Sequence, residues 1–314
     1  MNREYTRFLS IDLTKKCTNF CRFCVVCGTR HLTPDQKFDD IVSFLKEYRE
    51  KGFNKINLHG GEPQLYNKFN QLITLINELQ FEEITIQTNG LRLKDKDFIS
   101  NLIAKKVGLF VVSYHDCIRE NHNFLVNNQS SFDEVEEGIQ NVLSLGGQVR
   151  TNTVLVKSNY NHVKQIVDRV YELGVRKINI SSLNPWWMMV NASQELFNEL
   201  CPSYTVMAPY IRDMLDSYKH RDVKITLEGF PYCFLPGYDE FNLYSVDRDI
   251  FMLSENNFRL NYESYATSDL REKKEDCKQC TKFDACGGIW KGYTAYYGFN
   301  EFQPILEEAS TEKV

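Results

Sequence analysis

No window of this 314-residue chain reaches the roughly 18 uninterrupted apolar residues of a membrane span, and its N-terminus, MNREYTRFLSIDL, lacks the apolar core of a signal peptide. A long basic stripe is also missing. The 37 Lys and Arg are interspersed among 42 Asp and Glu for a formal net charge of -5, which makes nucleic acid a poor partner. There is no short-period repeat beyond the alternation described below, and no low-complexity segment apart from the polar tail EEASTEKV. Wholesale disorder is excluded by 42% hydrophobic and 25% charged residues. These absences leave a cytoplasmic chain with neither membrane nor nucleic acid as a partner. Its length suits one large α/β domain, or a domain of about 200 residues with a smaller appendage.

What the chain does have is cysteine, ten in all, in a compartment that keeps thiols reduced. Seven fall into two groups: Cys17, Cys21 and Cys24, then Cys233, Cys277, Cys280 and Cys286. Clustered cysteines in such a chain point to metal, and Cys27, Cys117 and Cys201 are left over.

Up to about residue 185, short β-branched runs alternate with amphipathic helical stretches. The predicted strands are 8–13, 55–58, 83–87, 107–113, 148–156 and 177–181. Between them lie segments such as FDDIVSFLKEYREKG and SFDEVEEGIQNVLSLGG, with apolar residues recurring at three and four and a closing glycine. Serial βα units require a parallel sheet with right-handed crossovers, doubly wound or curled into a full or partial barrel, with ligands at the carboxyl ends of the strands. After Pro185 the pattern changes to helical stretches near SQELFNELC and YTVMAPYIRDMLDSYK and a strand-like VKITLEG. From about residue 222 the chain is rich in aromatics, glycine and cysteine but poor in periodicity, so metal ligation is a natural staple there.

Cys17-x3-Cys21-x2-Cys24 lies just beyond the first strand, where a βα barrel places its active-site loops. Zinc sites normally take four protein ligands, whereas three thiolates on a four-iron cubane leave one iron open. Read alone, the same cysteines could form a zinc knuckle completed by Cys27 or His31. The chain resembles the radical S-adenosylmethionine (SAM) enzymes, whose signature is CxxxCxxC with an aromatic, here Phe23, before the last cysteine. Other motifs of that family follow in order: Gly60-Gly61-Glu62-Pro63 after the second strand, QTNG with Thr88 and Asn89 after the third, and Ser113 after the fourth. Asn152 resembles a residue facing the nucleoside, and Asn159 the family's loop asparagine.

The resemblance implies a partial (β/α)6 TIM-like barrel as a radical SAM core over residues 1–200, with a small C-terminal auxiliary iron-sulfur domain over 201–314. It implies a 4Fe-4S cluster on Cys17, Cys21 and Cys24, SAM held by Gly60, Gly61, Glu62, Pro63, Thr88, Asn89, Ser113 and Asn152, and reductive cleavage of SAM followed by hydrogen abstraction from a substrate. A flavodoxin or ferredoxin reductase would supply the electron.

CKQCTKFDAC with Cys233 resembles the auxiliary-cluster domains of the SPASM and twitch subgroups. SPASM chains usually carry a further cysteine where this one has Trp290, which implies a twitch-like domain holding a second, auxiliary 4Fe-4S cluster. A structural zinc on the same four thiols, or a cluster left open if Cys233 is free, fits the spacing as well.

Cys27, Cys117 and Cys201 are candidate hydrogen donors to a substrate radical, with a buried inert thiol as the alternative for each. The expected substrate is a ribosomally made peptide or protein that is crosslinked, oxidised or epimerised. The alternative is a small molecule such as an aminosugar, cyclitol or nucleoside. The start of the chain at the first strand predicts no fused leader-binding domain, which weakens the peptide reading. Outside enzymology the rival is a zinc or iron-sulfur binding protein without catalysis.

Overall fold

The structure, a computed structural model, describes residues 5–26, 32–186, 193–243 and 247–307. Cys27 and His31 lie outside the described residues. The six expected strands are present as β1 (Tyr5–Asp12), β2 (Lys55–His59), β3 (Glu83–Thr88), β4 (Val107–Ser113), β5 (Gln148–Leu155) and β6 (Lys177–Ser182). Helices α1 (Phe38–Glu50), α2 (Phe69–Glu78), α3 (Lys96–Ala104), α4 (Arg119–Val126), α5 (Ser131–Ser144) and α6 (Val163–Glu172) lie between them. In α6 the buried positions Val163, Ile166, Val167 and Val170 form one stripe at three- and four-residue spacing, which is what seats it on the sheet.

The chain beyond residue 200 continues the sheet at both ends. Helices α7 (Gln194–Leu200) and α8 (Tyr204–Tyr218) lead to β7 (Lys224–Glu228), which pairs in parallel with β6. Strand β8 (Asp247–Ser254) pairs in parallel with β1, from Tyr5 opposite Asp247 to Ile11 opposite Leu253. Strand β9 (Phe258–Asn261) runs antiparallel on its far side. The order is therefore β7-β6-β5-β4-β3-β2-β1-β8-β9. The partial barrel expected from the sequence is thus extended by one parallel strand at either end, in the circular order of an eight-stranded βα barrel left open between β7 and β8. The remainder includes α9 (Tyr262–Tyr265), the short hairpin of β10 (Arg271–Glu272) and β11 (Ile289–Trp290), and α10 (Lys291–Tyr297).

The two faces of the strands differ in chemistry. Leu9, Ile11, Ile56, Leu58, Ile84, Ile86, Ile178 and Ile180 are buried in the apolar layer under the helices. The alternate positions are mostly polar, Ser10, Asn57, Thr85, Gln87, Arg150, Asn152, Asn179, Ser181, Thr226 and Glu228, with the apolar Leu109, Val111 and Met252 in register among them. Thr85, Gln87, Arg150, Asn152, Thr226 and Glu228 are only half-buried although they face the inside of the strand ring, so the ring encloses accessible space with a polar sector on β5, β6 and β7.

Candidate active site

The loop after β1 carries Cys17, Cys21 and Cys24, all partly buried. It is pinned from several sides. Phe20 and Arg22 donate their amides to Val126 and Leu125 at the end of α4, at 3.0 and 2.9 Å, and Asn128 donates its side-chain amide to Asn19 at 2.9 Å. The Phe23 ring meets the His115 ring edge-on at 4.7 Å. Burial, with His122 nearby, pushes His115 down to about 3, so it supplies an uncharged wall to the loop.

The GGEP segment leaves β2 against that same loop. Gly61 N–H donates to the Thr14 carbonyl at 2.6 Å, and Glu62 N–H donates to that of Lys16 at 2.7 Å. Gly60 has φ +137, in the region glycine favours, and a Cβ there would strike the Thr14 carbonyl oxygen; one on Gly61 would strike those of Lys15 and Lys16. The two glycines therefore permit backbone-on-backbone contact, closing the end of β2 onto the start of the cysteine loop.

Glu62 is buried and ties this turn to the next. Its carboxylate accepts from Thr88 Oγ1 at 2.9 and 3.0 Å and from Asn89 N–H at 2.8 Å. Burial pushes Glu62 up to about 7, against the pull of those hydrogen bonds. Asn89 in turn donates to Thr18 Oγ1 at 2.8 Å and toward Cys17 Sγ at 3.6 Å. GGEP, TNG and the thiol loop are thus one hydrogen-bonded unit. Pro63 is buried as the first residue of the short helical turn that follows.

Lower in the ring, Ser113 is in register with Asn152, and Asn152 Oδ1 accepts from Asn179 at 2.7 Å and Ser181 Oγ at 3.0 Å. This leaves the Asn152 amino group as a donor toward the lumen. Asn179 also donates to Glu228 at 2.8 Å, joining β5, β6 and β7. Near the top of β1, buried Lys15 is paired with Asp12, and with Glu255 at 2.9 Å. Burial works against its charge, but the two carboxylates outweigh that and raise its pKa. Asp12 Oδ1 and His59 Nε2 are buried without a hydrogen-bond partner beside the glycines.

The donor set and the backbone cradle fit the three-thiol cluster and SAM: three partly exposed thiols on a braced loop, two glycines with no room for a side chain, and orphaned polar atoms next to them.

The second cysteine group is also brought together. Cys233, Cys277, Cys280 and Cys286 line one open cavity of about 420 Å³, along with Lys273 and Lys282. Burial pushes the Cys233 thiol up to about 12, reinforced by the other three cysteines. Two backbone amides, Gly288 and Ile305, point at Cys286 Sγ and Cys280 Sγ, each at 3.4 Å. Among the described residues no three His, Cys, Asp or Glu side chains close around a single ion. The four thiols rim a cavity instead of meeting at a point. Trp290 donates its indole N–H to Ser182 Oγ at 2.9 Å and lies under the Arg271 guanidinium at 4.0 Å, so it docks this region onto β6.

The remaining candidates sit elsewhere. Cys117 hydrogen-bonds Asp116 and stands within electrostatic reach of Arg169 of α6, with burial pushing it up to about 11. Cys201 is buried after α7, and Tyr297 donates its hydroxyl to the Cys201 carbonyl at 3.1 Å. Asn159 is fully buried and braces the turn after β5, accepting from Val156 N–H at 2.7 Å and donating to the His115 carbonyl at 2.7 Å. The residues that sequence reasoning missed are Asn57, Arg150, Asn179, Ser181 and Glu228 of the lumen. Their signal was the polar residue at every second position of KINL, QVRTNTVL, KINISS and KITLE, where a parallel strand buried on both faces would read as continuously apolar.

A parallel barrel with three thiols, a double-glycine cradle and a buried glutamate clasp at successive strand ends defines a radical SAM core, and the sequence profile of the Radical SAM superfamily matches residues 11–170. The chain belongs to that superfamily. It is 28% identical to the GTP 3',8-cyclase of Aquifex aeolicus (strain VF5) over 217 residues, which is 63% of this chain and 65% of that protein. It is 29% identical to a probable GTP 3',8-cyclase of Saccharolobus islandicus (strain M.14.25 / Kamchatka #1) over 178 residues, 56% of this chain and 57% of that one. The matches thus span less than two thirds of either relative. In fold the chain is similar to Streptococcus suis SuiB bound to S-adenosylmethionine, with TM-score 0.64, 16% identity, 93% of this chain and 74% of that chain covered. It is also similar to anSMEcpe with bound AdoMet, with TM-score 0.64, 15% identity and 91% and 90% covered. Among the described residues no helix is long and apolar enough to cross a membrane.

Proposed function

We propose that this radical SAM enzyme acts on a small polar molecule, as a cyclase, dehydrogenase or isomerase. The peptide reading, placed first from sequence, moves to second. Its support is a likeness to SuiB at 16% identity, which speaks to fold alone, whereas the curated relatives with sequence similarity are GTP 3',8-cyclases. The observation that carries the small-molecule reading is the polar interior of the ring, where Asn152, Asn179, Ser181 and Glu228 form one network across three strands. A pocket with a few fixed polar groups suits a compact, hydroxyl-rich ligand.

The bound cluster and SAM supply one-electron cleavage and hydrogen-atom abstraction. This chain's residues bind and orient. Cys17, Cys21 and Cys24 would hold the cluster, and the backbone of Gly60, Gly61 and Glu62, fixed against the thiol loop, would hold the methionine end of SAM. Glu62, Thr88 and Asn89 fix that surface relative to the thiol loop, while Ser113 would meet the ribose or methionine part of SAM and Asn152 its nucleoside. The strand ring and its helices would fix the walls against which the reacting carbon is oriented.

We read the second cysteine group as the ligands of an auxiliary four-iron cluster in a twitch-like module within residues 201–314, a span that also supplies β7, β8 and β9 to the sheet. The four-thiol rim and the two amides aimed at sulfur support this. A flavodoxin or ferredoxin is the proposed electron donor.

The test is isotopic. Anaerobic enzyme with SAM and dithionite is offered deuterated nucleotides, aminosugars and cyclitols in one arm and deuterated peptides in another. Deuterium in 5'-deoxyadenosine from a small molecule supports the reading, and transfer from peptide alone overturns it.

A further inference from the structure

The hairpin of β10 and β11 is a wall with two faces. Glu272 and Ile289, opposite each other in register, line the cavity of the second cysteine group. The neighbouring pair, Arg271 and Trp290, turns the other way, onto the carboxyl ends of β6 and β7. There the Trp290 indole N–H donates to Ser182 Oγ at 2.9 Å, and the Arg271 guanidinium lies over the indole at 4.0 Å. Trp290 is two residues past Gly288, whose amide points at Cys286 Sγ at 3.4 Å.

Arg271 is thereby only 3% exposed, between the cysteine cavity and the sheet. Its charge is within electrostatic reach of Cys286 on one side and of Glu228 of β7 on the other. The other charged groups of the cavity are placed differently. Lys282 pairs with Asp239 at 2.5 Å and Lys273 donates to the Phe283 carbonyl at 2.6 Å, and both lysines are partly exposed. The Glu272 carboxylate accepts from Thr294 Oγ1.

A guanidinium does not escape burial by losing its proton, so Arg271 is a permanent cation in surroundings that screen poorly. A four-iron centre on four thiolates is anionic and gains a further negative charge on reduction. Its potential follows net charge, hydrogen bonds to sulfur and solvent exposure. A fixed buried cation therefore favours the reduced form, in the same sense as the two amides aimed at Cys286 and Cys280.

We propose that Arg271, held flat by Trp290, raises the reduction potential of the auxiliary centre and so biases that centre toward accepting an electron. Arg271 is a positioning residue in this role, since it acts through the cysteine-bound group. The inference rests on the reading of Cys233, Cys277, Cys280 and Cys286 as ligands of a four-iron cluster, and it specifies what that cluster is tuned to do.

The experiment is a redox titration of the anaerobic holoenzyme followed by electron paramagnetic resonance, with Cys21→Ala used to assign the auxiliary signal. Arg271→Met should change the ratio of reduced to oxidised auxiliary centre about tenfold at a fixed potential, a midpoint lower by about 59 mV for a one-electron couple. Arg271→Lys should restore most of the shift. Lys278→Met removes an exposed cation beside Cys277 and should leave the midpoint where it is, because solvent and salt screen that charge. Iron content and the midpoint of the SAM-binding cluster should match the parent in all three. The proposal is overturned if Arg271→Met keeps the parent's auxiliary midpoint, or if Lys278→Met lowers it as much. Should the Met variant lose its second cluster, Arg271→Gln decides: a lowered midpoint supports the proposal and an unchanged one overturns it. About four irons per parent chain, with zinc on the second group and no second signal, overturns the cluster reading and the proposal together. That outcome is distinct from a second signal whose midpoint ignores Arg271, which overturns the proposal alone.

Discussion

Glu62 and Asn89 are joined by a 2.8 Å hydrogen bond from the Asn89 amide to the Glu62 carboxylate, inside a site where burial holds that carboxyl near pKa 7. The bond links the turn after β2 to the turn after β3, and Asn89 passes the constraint to Thr18 in the thiol loop.

A pH dependence follows. An unfolded Glu62 titrates near 4.5 and the folded one near 7, so between those values the folded protein keeps a proton the unfolded chain has released. The stability this contributes is full below about 4.5 and is lost as pH rises through about 7. Glu62→Gln stays neutral throughout. The stability of the parent relative to the Gln variant, from urea unfolding, should be greater at pH 5 than at pH 8 by on the order of 3 kcal/mol. A difference that does not change with pH counts against the clasp as described.

Gly61→Ala should dislodge the thiol loop, because the added Cβ meets two backbone carbonyls that cannot rotate away. The expected cost is about 1–3 kcal/mol. Iron analysis should show loss of the first cluster with the second retained, leaving about four irons of eight. Full iron content with normal SAM affinity would show that the contact is slack.

Gly229→Ala and Trp290→Phe probe the docking of the C-terminal region on the sheet. Gly229 has φ +79, and a Cβ there would strike Ser182 Oγ and lie 2.8 Å from the Trp290 indole nitrogen. The alanine should cost about 1–3 kcal/mol through strain and crowding, and the phenylalanine about 1 kcal/mol through the lost hydrogen bond. Limited proteolysis should then cut more readily within residues 271–307 in both. Parent-like cleavage would indicate that the seat rests on other contacts.

The thiol loop, GGEP and TNG were legible in the sequence because each is a short contiguous motif at a strand end, where the βα fold dictates its position. The six strands were legible for the same local reason. Strand β8 was not, since DRDIFMLS lies in an aperiodic stretch and earns its place only by pairing with β1 at the far end of the chain. The lumen residues were hidden differently. Each strand contributes one or two polar positions, and only the sheet order brings Arg150, Asn179 and Glu228 together. Trp290, which the sequence shows as a missing cysteine, acquires its role only from Ser182 on a distant strand.

The division of labour between the two cysteine groups is tested most directly by measuring iron and SAM-dependent 5'-deoxyadenosine in anaerobically prepared Cys21→Ala and Cys280→Ala. Cys280→Ala should keep about four irons per chain and measurable uncoupled 5'-deoxyadenosine formation, while Cys21→Ala should form none. Colourless protein with stoichiometric zinc, or the same behaviour from both variants, contradicts the account.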